Sequence, residues 1–145
     1  MIRRAQGQEI DAVAELWLET NLKAHDFIPA QYWKANFEGV KAVLPQAELY
    51  VYQDEGGIQG FIGLSGDYIA GIFVRSERQS RGVGRRLVDF AKGIRGRLRL
   101  SVYQKNARAV KFYLREGFVV QREGRDENTG EAEYEMVWKP EDERP

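Results

Sequence analysis

The stretch Gln79-Ser80-Arg81-Gly82-Val83-Gly84-Arg85-Arg86 separates a strand-like segment from a helix-like one. Its two glycines let the backbone bend tightly and let a ligand approach the N–H groups without a Cβ in the way. The first N–H groups of the following helix lack acceptors within that helix, and the positive end of the helix dipole lies there too. The segment from Arg75 to Arg86 contains five arginines and one glutamate, which gives it a local net charge of +4. This combination predicts a cradle for a pyrophosphate or polyphosphate group.

Two common phosphate-binding motifs do not fit this stretch. A Walker loop ends in Gly-Lys followed by Ser or Thr, and no lysine occurs between Ser65 and Ala91. The dinucleotide-binding fingerprint needs a third glycine where Leu87 stands, and it begins almost directly at the end of its strand. Here seven residues, 75–81, intervene, and no acidic residue closes the next strand to hold a ribose. The sequence therefore argues against dinucleotide binding.

Outward from this stretch, the hydrophobic pattern changes its period several times. Apolar residues recur at helical spacing from Ile10 to Trp17 and again between Pro29 and Pro45, which predicts helices over residues 8–20 and 29–45. Residues 21–28 break the pattern. A strand pair joined by a turn follows at residues 49–64, and later segments alternate between strand and helix. The predicted order is β-α-α-β-β-β-α-β-α-β-β, a mixed sheet with helices on its faces.

The strand before the Gly-rich stretch, Tyr68-Ile69-Ala70-Gly71-Ile72-Phe73-Val74, is almost continuously apolar. Such a pattern is typical of a strand that is covered on both faces, and we predict that arrangement here. Gly71 within it predicts a bulge or the close approach of another group, because glycine has no side chain.

Composition limits the classes of protein that this chain can belong to. Its 145 residues and 16.7 kDa suit one domain, which we assign to residues 1–139, followed by a charged tail at 140–145. Hydrophobic residues make up 43% and charged residues 30%, a globular mixture that excludes disordered and low-complexity classes. The 22 Lys and Arg balance the 22 Asp and Glu. We therefore expect no nucleic-acid or membrane partner, and the sequence carries no signal for oligomeric state.

The chain has no cysteine and a single histidine, His25. Disulfides, thiolate metal sites and thiol nucleophiles are thereby excluded, and a histidine-rich metal site is excluded as well. The first residues, Met1-Ile2-Arg3-Arg4-Ala5-Gln6, contain no apolar export segment, and no apolar run is long enough to span a membrane. We expect a cytoplasmic protein.

A second block of residues accompanies the Gly-rich stretch, namely Asn106, Ala109, Phe112, Tyr113, Gly117 and Phe118. Gln79, Gly82 and Gly84 resemble the acetyl-CoA signature Gln-x-x-Gly-x-Gly of the GNAT superfamily. The second block resembles that family's Asn-x-x-Ala-x-x-Phe-Tyr-x-x-x-Gly-Phe pattern, and the two stand in the family's order. Residues 25–28, 32–33 and 102–106 further resemble small single-domain bacterial members of the YiaC and YjaB type.

The resemblance implies an α/β fold whose mixed, mostly antiparallel sheet is flanked by helices and has a splayed cleft between two central parallel strands. It implies acetyl-CoA as the co-substrate, with no metal. Strand residues would pair with the pantetheine arm, backbone N–H groups would hold the pyrophosphate, and an amide side chain would bind the arm. The residues assigned to acetyl-CoA in this way are Ile72, Phe73, Val74, Gln79, Arg81, Gly82, Val83, Gly84, Arg85, Arg86 and Asn106.

The chemistry implied is direct transfer of acetyl to a primary amine in a ternary complex, because a chain without cysteine forms no acyl-thiol intermediate. The resemblance places Tyr113 near the sulfur, seven residues after Asn106 and on the same helical face, as general acid for the leaving thiolate. For the base, the sequence offers His25, Asp26 or Glu38. The acceptor is a protein lysine, a protein N-terminus or a small amine; the alternative is a module that binds acetyl-CoA without turnover.

Overall fold

The computed structural model describes residues 1–143, and it has the predicted order of elements. The helices are α1 (Ile10–Ala24), α2 (Ala30–Val43), α3 (Val83–Ile94) and α4 (Ala107–Arg115). The strands are β1 (Ile2–Arg4), β2 (Glu48–Asp54), β3 (Gly57–Ser65), β4 (Tyr68–Val74), β5 (Leu98–Tyr103), β6 (Val119–Arg125) and β7 (Ala132–Trp138). In the tail, Glu141–Glu143 form a single 3-10 turn, whereas Arg144 and Pro145 lie outside the described residues.

Helix α1 ends four residues later than the sequence predicts, at Ala24 instead of residue 20. The prediction ended the helix because Asn21 is polar, yet its side chain is almost fully buried. The Asn21 amide donates to the Trp17 carbonyl at 2.9 Å, so that its polarity is satisfied inside the helix. The helix therefore carries a polar side chain on its buried face.

The strands form one seven-stranded sheet in the order β1-β2-β3-β4-β5-β7-β6, in which only β4 and β5 are parallel. These two strands are joined only at their first residues, where Tyr68 faces Arg99 and Ile69 faces Leu100. Beyond that point they diverge and leave a cleft in the middle of the sheet. The predicted mixed sheet with a splayed parallel pair is confirmed.

Strand β4 contains the predicted bulge. Gly71 faces Gly63 and Ile69 faces Leu64, which leaves Ala70 without a partner on β3. A Cβ on Gly71 would lie only 2.4 Å from Cε2 of Phe73, so a side chain at this position would force the Phe73 ring to move. The prediction that β4 is covered on both faces is confirmed: Ile72 and Val74 pack on the side of α3, and Phe73 packs on the side of α1. Ile69 is nonetheless the only residue of β4 that is fully buried, because the second half of the strand borders the cleft.

Two apolar clusters hold the helices against the sheet. On one face, α3 and the end of α4 pack on β3, β4, β5 and β7 around Leu87, Val88 and Phe118. On the other face, α1 packs on β2 and β3 around Val13 and Leu16. Each helix buries an apolar stripe, which is the main stabilising contribution of such layers. No helix among residues 1–143 is long and apolar enough to cross a membrane.

The close approach of β3 to β4 and α3 generates a stability prediction at Gly60. A Cβ there would lie 2.9 Å from the Phe73 carbonyl oxygen and 3.2 Å from Cγ1 of Val83. We expect Gly60→Ala to lower the free energy of unfolding by about 1–3 kcal/mol, because backbone must move to admit the methyl group. Urea denaturation measures the loss.

The matched control is Gly39→Ala in α2, where a Cβ would meet nothing within 4 Å. Alanine is the better helix former, so this variant should gain up to about 1 kcal/mol. Equal stability changes in the two variants would contradict the packing explanation.

Candidate active site

A cleft of about 1460 Å³ opens where β4 and β5 diverge, between the ends of α1, α3 and α4. Common small-molecule pockets measure roughly 300–1,000 Å³, so this one suits a long ligand or two ligands together. The sequence-predicted residues that line it are His25, Ile72, Phe73, Val74, Gln79, Gly82, Gly84, Arg85, Asn106 and Tyr113. Three other residues that were predicted to bind the cofactor do not line it, namely Arg81, Val83 and Arg86.

The Gly-rich stretch contains a row of backbone donors without partners beside this cleft, which Ser80, Gly82, Gly84 and Arg85 line. Gly82 caps α3 in the left-handed region at φ 85°, and Ser80 also has a positive φ of 64°. The Arg86 N–H donates to the Gly82 carbonyl at 3.0 Å, whereas the N–H groups of residues 80–85 have no acceptor within residues 1–143. The free donors thus end one residue before Arg86, earlier than the sequence predicts. An anion is the natural acceptor for such a row.

Three of the five arginines between residues 75 and 86 bind groups on β2 and β3, and these three do not line the cleft. Arg78 pairs with Asp54 at 3.2 Å. Arg75 donates to the Ile58 carbonyl at 3.2 Å, and Arg86 donates to the Tyr52 hydroxyl at 2.8 Å. The sequence predicts a local charge of +4 because it does not show these partners from distant strands. The cleft itself is lined by other cationic side chains, which add to the attraction that the backbone donors exert on an anion: Lys23, Arg85, Lys92, Lys105, Arg108 and Arg115.

Gln79 and Arg108 join the loop to α4. The Gln79 amide donates to the Val74 carbonyl at 3.1 Å, and its oxygen accepts from Arg108 at 2.7 Å. Arg108 also donates to the Ser80 hydroxyl at 2.7 Å. Sequence reasoning did not identify Arg108; the available signal was its place inside the second motif, two residues after Asn106.

Tyr113 lies on α4 with its ring buried between Phe112 and Phe118, at centroid distances of 5.2 and 5.5 Å. Its hydroxyl has no hydrogen-bond partner among the described residues 1–143, and Tyr113 lines the cleft. Burial raises the pKa of this phenol above its ordinary value. The group is therefore protonated at neutral pH and can donate a hydrogen bond or a proton to a ligand.

His25 and Asn106 meet at one end of the cleft. Asn106 caps α4 by accepting the Ala109 N–H at 3.1 Å, and its amide nitrogen lies 3.0 Å from Nε2 of His25. Nδ1 of His25 lies 2.8 Å from the Asn21 side-chain oxygen. Burial lowers the pKa of His25 to about 4, so the ring is neutral near pH 7. Both ring nitrogens are engaged with other side chains.

The other two candidate bases stand apart from the cleft. Asp26, in the α1–α2 connection, and Glu38, on α2, are both exposed, and neither lines the cleft. The structure brings together the predicted acid and cofactor residues but does not bring either carboxylate to them.

A group of residues that sequence reasoning missed lies next to His25, although none of its members lines the cleft itself. The Tyr103 ring packs 4.9 Å from that of His25, and its hydroxyl donates to Asp126 at 2.5 Å. Glu133 faces Tyr103 across the β5–β7 pair. Burial, with the charges of Asp126 and Glu135, raises the pKa of Glu133. Only the strand pairing reveals this group, because its members are far apart along the chain.

Within residues 1–143, no group of three or more histidine or acidic side chains is arranged to hold a metal ion.

Comparison with known proteins agrees with this geometry. Residues 45–120 match the acetyltransferase (GNAT) domain. The chain is 38% identical to the peptidyl-lysine N-acetyltransferase YiaC of Escherichia coli (strain K12) over 120 residues, which covers 81% of this chain and 82% of YiaC. It is 32% identical to the peptidyl-lysine N-acetyltransferase YjaB of the same strain over 140 residues, covering 96% of this chain and 90% of YjaB.

Solved structures give the same result. The solution structure of apo-form YjaB from Escherichia coli superposes with a TM-score of 0.86 at 29% identity, covering 95% of this chain and 96% of YjaB. The structure of yncA from Salmonella typhimurium with its cofactor acetyl-CoA has a TM-score of 0.69 at 16% identity, covering 100% and 96% of the two chains. The latter shows the fold alone. The resemblance carried by the two motifs is confirmed, and the chain belongs to the GNAT acetyltransferase family.

Proposed function

We propose that this protein transfers the acetyl group of acetyl-CoA to lysine side chains of other proteins. The observation that carries the proposal is the row of free N–H groups at residues 80–85, which follows the end of β4 beside the cleft. Acetyl transfer from acetyl-CoA to an amine is the activity of this family, and the choice of lysine rests on the names of YiaC and YjaB.

The row of free N–H groups would hold the cofactor's pyrophosphate. Beside it, β4 has no partner strand from Ala70 onward on its β5 side. The backbone of Ile72, Phe73 and Val74 can therefore pair with the pantetheine arm as an added strand. This arrangement supports acetyl-CoA as the co-substrate, lying lengthwise in the cleft with its thioester near the β4 bulge and Tyr113.

The transfer step joins the amine nitrogen to the acetyl carbon and breaks the carbon–sulfur bond. A backbone N–H at the bulge of Ala70 and Gly71 would stabilise the carbonyl oxygen as it becomes negative. The leaving thiolate would take a proton from the Tyr113 hydroxyl, which lines the cleft, and water would return a proton to the phenolate. A lysine amine with a pKa of about 10.4 costs about 4.6 kcal/mol to present neutral at pH 7, so a proton acceptor is needed.

For the proton acceptor we propose Glu133, acting through water. It faces Tyr103, whose ring packs against His25 of the cleft, and its raised pKa makes it a stronger base than an ordinary glutamate. His25, which the sequence offered for this role, has its ring nitrogens engaged with Asn21 and Asn106.

A non-catalytic module that binds acetyl-CoA is the second candidate. The engaged nitrogens of His25 favour it, because they remove one base from the cleft. Tyr113, placed in the cleft with an unpaired hydroxyl, favours the enzyme. Turnover separates the two candidates.

We further propose one domain over residues 1–139 in a cytoplasmic bacterial protein, since the curated relatives are bacterial.

Calorimetric titration with acetyl-CoA tests the proposal first, with NAD and a short DNA duplex as controls. We expect 1:1 binding of acetyl-CoA alone. Release of free thiol in the presence of a lysine peptide then measures turnover, and the chain has no cysteine to disturb the assay. Binding without thiol release would favour the non-catalytic module. Absence of acetyl-CoA binding by folded protein would overturn both candidate functions.

We expect Tyr113→Phe to lower kcat about 10²–10⁴-fold while acetyl-CoA affinity stays within about twofold, because only the proton donor is lost. Steady-state kinetics and calorimetry give the two numbers. The control is Tyr134→Phe, which removes a phenol that does not line the cleft and should leave kcat unchanged. Wild-type turnover in Tyr113→Phe would remove Tyr113 as the acid.

Glu133→Gln should lower kcat and flatten the acidic limb of the pH profile. A base works only when it is deprotonated, so wild-type activity should fall as pH drops through the raised pKa of Glu133. The control is Glu55→Gln in the turn between β2 and β3, an exposed carboxyl that does not line the cleft and should leave the acidic limb unchanged. An unchanged acidic limb in Glu133→Gln would exclude Glu133 as the base.

A further inference from the structure

Five groups form a continuous chain of hydrogen bonds from α4 to α1. The Ala109 N–H meets the Asn106 oxygen at 3.1 Å, and the Asn106 amide nitrogen meets Nε2 of His25 at 3.0 Å. Nδ1 of His25 then meets the Asn21 oxygen at 2.8 Å, and the Asn21 amide nitrogen meets the Trp17 carbonyl at 2.9 Å. Its central hydrogen bond joins Asn106 to His25, two residues that are 81 positions apart in the sequence.

Backbone groups at both ends fix the direction of this chain. The Trp17 carbonyl can only accept, so Asn21 presents its oxygen to His25 and requires a proton on Nδ1. The Ala109 N–H can only donate, so Asn106 presents its amide N–H to Nε2. The two requirements agree on one neutral tautomer of His25, with the proton on Nδ1.

The His25 ring is also held by packing. It lies 4.9 Å from the Tyr103 ring, 5.6 Å from the Trp33 ring and 5.7 Å from the Phe27 ring. A ring enclosed by three aromatic neighbours has little freedom to rotate, so its Nε2 remains aimed at Asn106. The Asn106 amide is thereby held from both sides, by the helix cap and by His25.

We propose that His25 is a positioning residue that fixes the Asn106 amide for cofactor binding. The amide nitrogen carries two hydrogens, of which His25 accepts one. The other has no acceptor among residues 1–143, and Asn106 lines the cleft. It is available to a carbonyl of the pantetheine arm, and this part of the inference rests on the proposed function. Without His25 the amide keeps its cap but loses the partner that orients its N–H groups.

The tautomer is tested on the wild-type protein without any ligand. Because the chain has one histidine, the imidazole nitrogen signals in ¹⁵N NMR of tag-free protein belong to His25 without assignment. We expect the protonated-nitrogen shift at Nδ1 and the unprotonated shift at Nε2, the reverse of the tautomer preferred by free histidine. A proton on Nε2 would overturn the proposal.

Two variants separate the partners of His25. In His25→Gln the side-chain oxygen can stand near the position of Nε2 and accept from Asn106. In His25→Asn the amide can stand near the position of Nδ1 and donate to Asn21, while the contact with Asn106 is lost. We expect His25→Asn to raise the KM for acetyl-CoA about three- to tenfold, the value of one hydrogen bond, with kcat within about twofold. His25→Gln should restore the KM to within about twofold of wild type.

Thermal denaturation of both variants identifies a loss of folding, and the wild-type NMR result stands whether or not they fold. A wild-type KM in a folded His25→Asn would overturn the positioning role. Failure of the wild-type protein to bind acetyl-CoA would overturn the proposed function and the ligand assigned to Asn106, whereas an Nδ1–H tautomer would still establish the link between α1 and α4. The two failures are therefore distinguishable.

Discussion

The joint between β4 and β5 determines the rest of the site. Two parallel strands in one sheet normally pair along their length, but here only two residue pairs connect them. The backbone donors and acceptors of β4 beyond Ile69 are then left open on one side, which a buried strand does not tolerate without a partner. A ligand that pairs like a strand would satisfy them, and the proposed acetyl-CoA site uses this open edge.

A split sheet needs something to hold its two halves at a fixed distance, and the first turn of α4 does this. Arg108 holds the loop after β4 through Gln79 and Ser80. Two residues earlier along the chain, Asn106 holds the α1–α2 connection through His25. The same short helix also carries Tyr113, which lines the cleft. The Gly-rich loop, the α1–α2 connection and the proposed proton donor are thus all positioned relative to one element of nine residues.

Local patterns predicted what local physics decides. The helix and strand order and the bulge beside Gly71 follow from spacing and from backbone freedom within a few residues. The sequence did not reveal what depends on pairing across the sheet. Glu133 meets Tyr103 only because β7 lies beside β5, and β4 is less buried than its apolar composition predicts because β5 diverges from it after two residue pairs.

The proposed recognition of an anion by an electrically neutral chain rests on the same division of roles. Asp54 and Tyr52 bind two of the arginines near the Gly-rich loop, and a carbonyl of β3 binds a third. These contacts shape the loop, while the N–H groups of residues 80–85 have no acceptor within residues 1–143. Backbone donors at fixed positions can select a phosphate by its geometry, whereas mobile arginine side chains attract any anion. The two positive φ angles, at Ser80 and Gly82, fix the backbone of the loop, so the proposed binding of a phosphate would depend on them.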